Sequence, residues 1–595
     1  MSACQPTPIA DGEAVIYDAA NGGWLWFRRP QRILAARTPA EVLPALAAAE
    51  RAVLQEDRHA AGFVAYEAAP ACDPALAVRP CPDFPLAWFA LYDPPLPLPL
   101  PEAPDPPATP WSWTPSVTPE DYARALAAIR RLIRAGDTYQ VNYTLRLRAP
   151  QREDPWPLFL RMVQAQGPGY GAFVRAGRWT VCSASPELFL SRDGDRLLSR
   201  PMKGTAPRGL WSAADRAQAE ALRRSEKNRA ENVMIVDMVR NDLGRIAAPG
   251  SVRAEELFRV ERYPTVWQMT SAVSAATAAD WPDIFRAAFP PASITGAPKV
   301  RTMQIIAALE TDPRRVYTGA VGFLAPPRRA QFNVAIRTVL ADRAAGAAEY
   351  GVGGGIVWDS EPAGEWAECL VKAQVLDRPA PPFALLETLR WTPEEGYRHL
   401  ERHLRRLAES AAYFGRVCDP EAARAELLRR ARSFPAAARR VRLRAEPDGR
   451  LAIEEQPLAP LPAPYRLRLA EQPVNARDPL LYHKTTAREG YERAQRQARA
   501  AGADDALLWN ERGEITESCI ANVIAEIDGR RLTPPLRCGL LGGVERAALL
   551  EAGAVTEGVL RVADLPRCAA LFLCNSLRGL WPAVCPPLWP PTARP

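Results

Sequence analysis

A mixed α/β chain in two units is what the sequence predicts, and three observations predict it. Short strand-like apolar runs alternate with helical patterns between residues 118 and 377. The stretch DRPAPP, 377–382, then interrupts both patterns with three prolines. Beyond it a shorter succession of helices and strands runs to about residue 585, and 595 residues are too many for one hydrophobic core.

The first 93 residues, read as the N-terminal part of the first unit, hold short apolar runs and one helical pattern, Pro39 to Gln55. PPLPLPLPEAPDPPATP, 94–110, can form neither helix nor central strand, so 94–117 reads as an extended connector. Thr118-Pro119-Glu120 supplies a cap and a first-turn proline for a helix, opening the segment 118–377. Two further helices there are Ser225 to Arg245 and the one within DSEPAGEWAECLVKAQVL, 359–376. Residues 378–382 form a linker. The second unit, 383–585, has helices over Tyr397 to Phe414 and Ala487 to Ala501, and strands over Val441 to Arg444 and Asp505 to Trp509. PPLWPPTARP, 586–595, is a tail expected to lack order.

Several classes of function are excluded at this level. A net charge of +7 without a Lys/Arg tract predicts no nucleic-acid face. No run of eighteen apolar residues predicts a membrane span, and MSACQPTPIADGE has no basic-then-apolar leader. Eleven cysteines without a CxxC pair read as reduced thiols, so a cytoplasmic location is expected.

Lysine is the informative residue. The chain holds 75 basic side chains but only five lysines: Lys203, Lys227, Lys299, Lys372 and Lys484. Arginine stays charged near neutrality, whereas a lysine amine can be tuned to react. Glu361, Glu365, Glu368 and Lys372 recur at steps of four, three and four, so they share one helix face. The helix 225–245 carries Lys227, Glu231, Asp237, Arg240, Asn241 and Asp242. Such stripes are commonly solvated, but Gly353, Gly354 and Gly355 run straight into the first of these helices. Backbone amides there can approach an anion, and the helix dipole adds to the attraction. Two carboxylates from separate helices beside an anionic ligand suit Mg2+. In the second unit Lys484 sits in LLYHKTTAREGYERA, at an apolar strand end leading into a helix, and Glu517 lies at a strand-turn junction. LTPPLRCGLLGGVER, 532–546, places a glycine turn before a helix, which suits a phosphate, and Arg406 lies on an upstream helix.

The stretches YEAA (66–69), AGDTYQVNYT (135–144), SASPELFL (183–190), RPMKGTAPRG (200–209), KNRAENVMIVDMVRNDLGR (227–245), SITGAPKVRTM (293–303) and GVGGGIVWDSEPAGEWAE (351–368) resemble the chorismate-utilising enzymes in family order. Among these they look most like the aminodeoxychorismate synthase large subunits. The resemblance implies a fold of packed β-sheets with surrounding helices. It implies that Arg337, Tyr317, Gly204, Thr205, Lys372 and the amides of Gly353, Gly354 and Gly355 hold chorismate, while Glu231 and Glu368 hold Mg2+. Lys203 stands where anthranilate synthases have Ala. The implied role is addition to C2 of chorismate with loss of the C4 hydroxyl, before ammonia enters at C4; the alternative is a fixed cation facing a carboxylate. Gln140, where water-adding relatives have Lys, cannot act as a base. Gln268 replaces a His of anthranilate synthases, and PPAS, 290–293, departs from a common glycine pair. Nothing reads as a glutaminase nucleophile, so a separate glutamine amidotransferase subunit is implied as the ammonia source.

The second unit resembles the two-subdomain fold-type IV pyridoxal-phosphate enzymes, specifically the aminodeoxychorismate lyases, and NSLRG (575–579) resembles an element of lyases fused to the synthase. The resemblance implies a Schiff base between Lys484 and pyridoxal 5'-phosphate, Glu517 on the ring nitrogen, and Arg406 with the Gly543 and Val544 amides on the phosphate. Glu545 stands where relatives often have Thr, and a carboxylate there would repel the phosphate unless it points away. Together the two resemblances imply synthesis of 4-aminobenzoate, for folate, from chorismate and ammonia. The alternative is an anthranilate synthase-like unit followed by a class IV transaminase. A homodimer through the second unit is left open.

Overall fold

The computed structural model describes residues 9–105, 107, 109–376 and 383–586. The expected linker 378–382 and, but for Pro586, the expected tail lie outside them. Two compact units result: residues up to Pro207 with those from Ala219 to the linker, and Arg208–Gln218 with the residues after the linker. The sequence places 208–218 inside the first unit; the fold groups it with the second.

Two ten-stranded sheets, with every pairing antiparallel, build the first unit. Their contacting faces follow the period-two alternation of a strand. Ala14 and Ile16 enter an inter-sheet core with Phe63, Val174 and Phe323, whereas Val15 between them faces an outer layer of helices. The N-terminal residues are therefore part of the same sheets as the later segments, since Ala14–Asp18 pairs with Ala172–Ala176, and His59–Val64 with Ala320–Ala325. Among its described residues the proline-rich connector contributes two two-residue strands, Leu96–Pro97 and Thr114–Pro115.

The helices form where their caps and apolar faces predict. Pro39–Gln55 is helical over the expected bounds, and Thr118 caps Pro119–Arg134 by accepting from Asp121 N. Ser225 caps Glu226–Gly244, which buries Ile235, Val236, Val239 and Leu243 and carries Glu231 one turn before Ile235. Pro362 starts the helix Pro362–Ala373. The glycines depart from expectation. Gly353, Gly354 and Gly355 lie within the strand Ala347–Ile356, paired with Gln140–Pro150, and not at a helix start.

The second unit pairs a four-stranded sheet, covered by helices Leu400–Phe414 and Pro420–Ala431, with a separate eight-stranded sheet. The helix expected from Tyr397 begins at Leu400, because Gly396–Tyr397 pairs with Trp391–Thr392 and His399 turns the chain at φ 56°. Lys484 lies in a loop after the turn Pro479–Leu481, not at a strand end, and its carbonyl accepts from Leu386 N at 2.9 Å. No helix among the described residues is long and apolar enough to cross a membrane.

Candidate active sites

Every residue that the resemblance assigns to the first unit lines one cavity of ≈ 280 Å³. Lys203 projects into it from the strand Met202–Pro207, whose backbone is held from behind. Asn232 Nδ2 donates to the Lys203 carbonyl at 3.2 Å, and Ser271 Oγ donates to Asn232 Oδ1 at 2.5 Å. Gln268 clamps the next two residues, accepting from Thr205 Oγ1 and donating to the Gly204 carbonyl, each at 3.0 Å. Gly355 faces the amine from the other sheet. A Cβ there would stand 2.3 Å from Lys203 Nζ and 2.7 Å from Gln140 Nε2, so only glycine leaves room. Both polar atoms of the Gln140 amide are buried without a partner among the described residues.

Removal from water lowers the Lys203 pKa, and Lys372 adds to the effect, while Glu231, Glu368 and Glu187 oppose it. The amine is thus biased toward its neutral, nucleophilic form. Glu187, 4% exposed, was not singled out by the sequence although it lies in SASPELFL. Its signal is a lone acid in an otherwise apolar run. Burial pushes its carboxyl up to about 7, with Lys203 pulling the other way. A carboxyl in that range can deliver a proton to a leaving oxygen near neutrality.

Arg337 is partly buried with φ 50°, and Tyr317 is 7% exposed beneath the Arg146 guanidinium, 5.0 Å above its ring. Among the described residues Arg337 makes no ion pair, and its buried Nη1 has no hydrogen-bond partner. An orphaned guanidinium donor at a cavity wall suits a ligand carboxylate. Glu231 and Glu368 open into the cavity from separate helices. Partial burial would raise Glu368, but Lys372, at 2.8 Å, and Lys203 hold it below the ordinary range. Lys372 also donates to the Gly353 carbonyl at 2.8 Å, so most of its donor capacity is committed within the protein. Among the described residues no three His, Cys, Asp or Glu groups form a closed metal cage. A pair of carboxylates beside an anion-binding wall nevertheless fits Mg2+, which keeps waters and takes substrate oxygens.

The second unit has its own cavity, ≈ 460 Å³, lined by Lys484, Glu517, Arg406, Gly543 and Val544. Burial, with Arg488 and Arg406 nearby, brings the Lys484 amine down to about 7. Glu517 lies on the strand Ile515–Ser518, where Tyr491 donates to its Oε1 at 2.7 Å and Asn522 Nδ2 to its Oε2 at 3.3 Å. Burial pushes its carboxyl up to about 7. Arg406 is aimed by a pair the sequence did not reveal. Its Nε and Nη2 donate to Glu387 at 2.8 and 2.6 Å, and His403 Nδ1 stands 2.6 Å from the same carboxylate. Burial would raise Glu387, yet Arg406 and His403 hold it down to about 2.

Gly543 caps the helix Val544–Glu551. A Cβ there would lie 1.9 Å from Asn522 Oδ1, which explains the glycine. Glu545 turns out of the cavity, accepting from Arg398 Nη2 at 2.7 Å and meeting His399 Nε2 at 3.2 Å, so the feared repulsion is removed. A lysine of lowered pKa, a buried carboxyl, and an arginine beside a helix N-terminus fit pyridoxal phosphate in turn at its aldehyde, ring nitrogen and phosphate.

Comparison with known proteins agrees with this division. Residues 96–378 match the chorismate binding enzyme family, and 384–584 match amino-transferase class IV. The aminodeoxychorismate synthase of Streptomyces pristinaespiralis is 46% identical over 256 residues, covering 42% of this chain and 35% of that protein. Aminodeoxychorismate synthase component 1 of Klebsiella aerogenes is 42% identical over 264 residues, covering 44% of this chain and 58% of that protein. The matches thus span from about a third to three-fifths of those relatives' lengths. Anthranilate synthase component I of Streptococcus pneumoniae, 23% identical with a TM-score of 0.53, covers 63% of this chain and 95% of its own, and shares the fold of the first unit. The chain therefore joins a chorismate binding enzyme domain to an amino-transferase class IV domain.

Proposed function

We propose that the chain converts chorismate and ammonia to 4-aminobenzoate in two steps, one in each cavity. The observation that carries the reading is Lys203: an amine held toward its neutral form, facing a cavity whose wall offers the unpartnered Arg337 guanidinium. Chorismate has two carboxylates, and Arg337 would take one of them. Mg2+, when bound, supplies positive charge that draws electrons from the ring as the C4 hydroxyl departs; Glu231 and Glu368 would hold it. Lys203 Nζ forms a bond to C2, both ring double bonds shift, and the C4–O bond breaks, with Glu187 giving its proton to the departing hydroxyl. Ammonia then bonds to C4, the ring double bonds shift back, the C2–N bond breaks to release Lys203 as a neutral amine, and the new C4 ammonium returns a proton to Glu187.

The product, 4-amino-4-deoxychorismate, is the second cavity's substrate. A class IV amino-transferase domain implies pyridoxal phosphate, which when bound supplies an electron sink for the carbon bearing the amine. Arg406, fixed by Glu387, and the Gly543 and Val544 amides would hold its phosphate, and Glu517 would face its ring nitrogen. Lys484 Nζ takes the proton from C4 and returns it to the departing enol of pyruvate, leaving an aromatic ring. Base-then-acid duty suits a pKa near neutrality. Ammonia would come from a separate glutamine amidotransferase subunit, as the "component 1" names of the relatives suggest. Two variants test the order of events. Lys203→Ala should form no aminodeoxychorismate from chorismate and ammonium, whereas Lys484→Ala should accumulate it. Full 4-aminobenzoate output from either would overturn the reading.

A further inference from the structure

The cavity around Lys484 carries a group of charges that neither cofactor binding nor proton transfer uses. Arg440 and Arg442 stand two residues apart on one face of the strand Arg439–Ala445. Arg578 comes from the turn between Ala570–Asn575 and Gly579–Val584, and all three line the cavity. The strand alongside, Leu451–Pro457, supplies carboxylates only to their neighbours. Glu455 meets Arg439 at 3.4 Å, and Glu454 meets Arg444 at 3.2 Å. Between those pairs, Arg440 and Arg442 make no ion pair or side-chain hydrogen bond among the described residues, and their Nε atoms are buried without partners. Arg578 Nη2 donates to the Ala459 carbonyl. Burial lowers the Arg440 pKa, and Arg442 and Arg578 lower it further, so the three charges repel one another. Gathering like charges away from water without an anion is unfavourable unless a ligand brings the anion.

We infer that Arg440, Arg442 and Arg578 form a subsite for a carboxylate that the substrate carries away from its reacting amine. The inference rests on the reading of the second cavity as acting on an amine beside Lys484, and it adds what selects that amine. A simple α-amino acid has its one carboxylate next to the amine. A cyclic amine bearing a ring carboxylate and a carboxyvinyl ether offers anionic groups at a distance, which planar guanidinium forks can bind bidentately. The cluster therefore favours a dianionic amine over amino-acid substrates of a transaminase.

Equilibrium binding tests this without turnover. The full chain, loaded with pyridoxal phosphate and carrying Arg337→Gln to silence the first cavity, is titrated calorimetrically with isophthalate and with benzoate. Isophthalate should bind at least about tenfold more tightly, a difference of one decade in Kd. Arg440→Gln and Arg578→Gln should each bring isophthalate down to the affinity of benzoate, and Arg440→Lys should restore part of the gap. Retained visible absorbance of the cofactor marks a folded second unit; Arg442→Gln replaces any variant that loses it. Equal binding of the two acids to the parent, or unchanged isophthalate binding in the Gln variants, would overturn the subsite. Because no product need form, the subsite and the proposed reaction can fail independently.

Discussion

Gly355→Ala is the sharpest perturbation the first cavity offers. The added Cβ would stand 2.3 Å from Lys203 Nζ, and ordinary contact begins near 3.4 Å, so the amine must retreat by about 1 Å. The colliding atoms are the ends of the Lys203 and Gln140 side chains, and Gly355 has no positive φ, so the fold should survive. A displacement of about 1 Å at a reacting atom costs on the order of 10²-fold in rate. Amination of chorismate by ammonium in the presence of Mg2+, followed by chromatography, should therefore slow by about that factor while release of pyruvate from supplied aminodeoxychorismate stays at the parent rate. An undiminished amination rate in Gly355→Ala would refute the placement of the Lys203 amine at the reacting carbon.

Other expectations follow from the same geometry. Arg337→Gln removes charged hydrogen bonds worth about 1.5–3 kcal/mol, so KM for chorismate should rise by roughly 10- to 150-fold, read from initial rates. Glu517→Gln should still bind the cofactor but slow pyruvate release by about 10²-fold, since one preorganised electrostatic partner is lost. Lys484 binds its proton less readily folded, near 7, than unfolded, near 10.4, so the unfolded chain binds more protons between those values and stability rises with pH there. Cofactor-free Lys484→Met should accordingly unfold at a higher temperature than the parent at pH 7, and the gap should close by about pH 10, measured by calorimetry. Glu387→Gln leaves Arg406 without its buried partner and should destabilise the second unit by about 3–5 kcal/mol in denaturant unfolding, weakening cofactor retention as well.

Local patterns were legible where local physics decides. The helices Pro39–Gln55, Pro119–Arg134 and Glu226–Gly244 form within a residue of their caps and apolar stripes, because those signals are contained in a single turn or face. The requirement for Gly353 and Gly355 is imposed by Tyr143 on the paired strand and by Lys203 on the other sheet, and no neighbour in sequence records it, so the sequence misplaces this glycine run. The loop position of Lys484 arises from its backbone bond to Leu386, almost a hundred residues away. Glu387 with His403 and Arg406 behaves likewise: nothing next to it in sequence marks it, and only the fold buries it against Arg406 and His403. Glu545 shows the converse. The sequence marks an acid near a phosphate as a fault, and only the fold supplies Arg398 and His399 to turn it aside.

Labelled ammonium gives the most direct test. The chain is incubated with chorismate, 15N-ammonium, Mg2+ and pyridoxal phosphate, and the products are separated before mass analysis. The account requires 15N-labelled 4-aminobenzoate with one equivalent of pyruvate, and labelled aminodeoxychorismate alone when pyridoxal phosphate is withheld. Labelled 2-aminobenzoate, or pyruvate release that does not depend on pyridoxal phosphate, would contradict it.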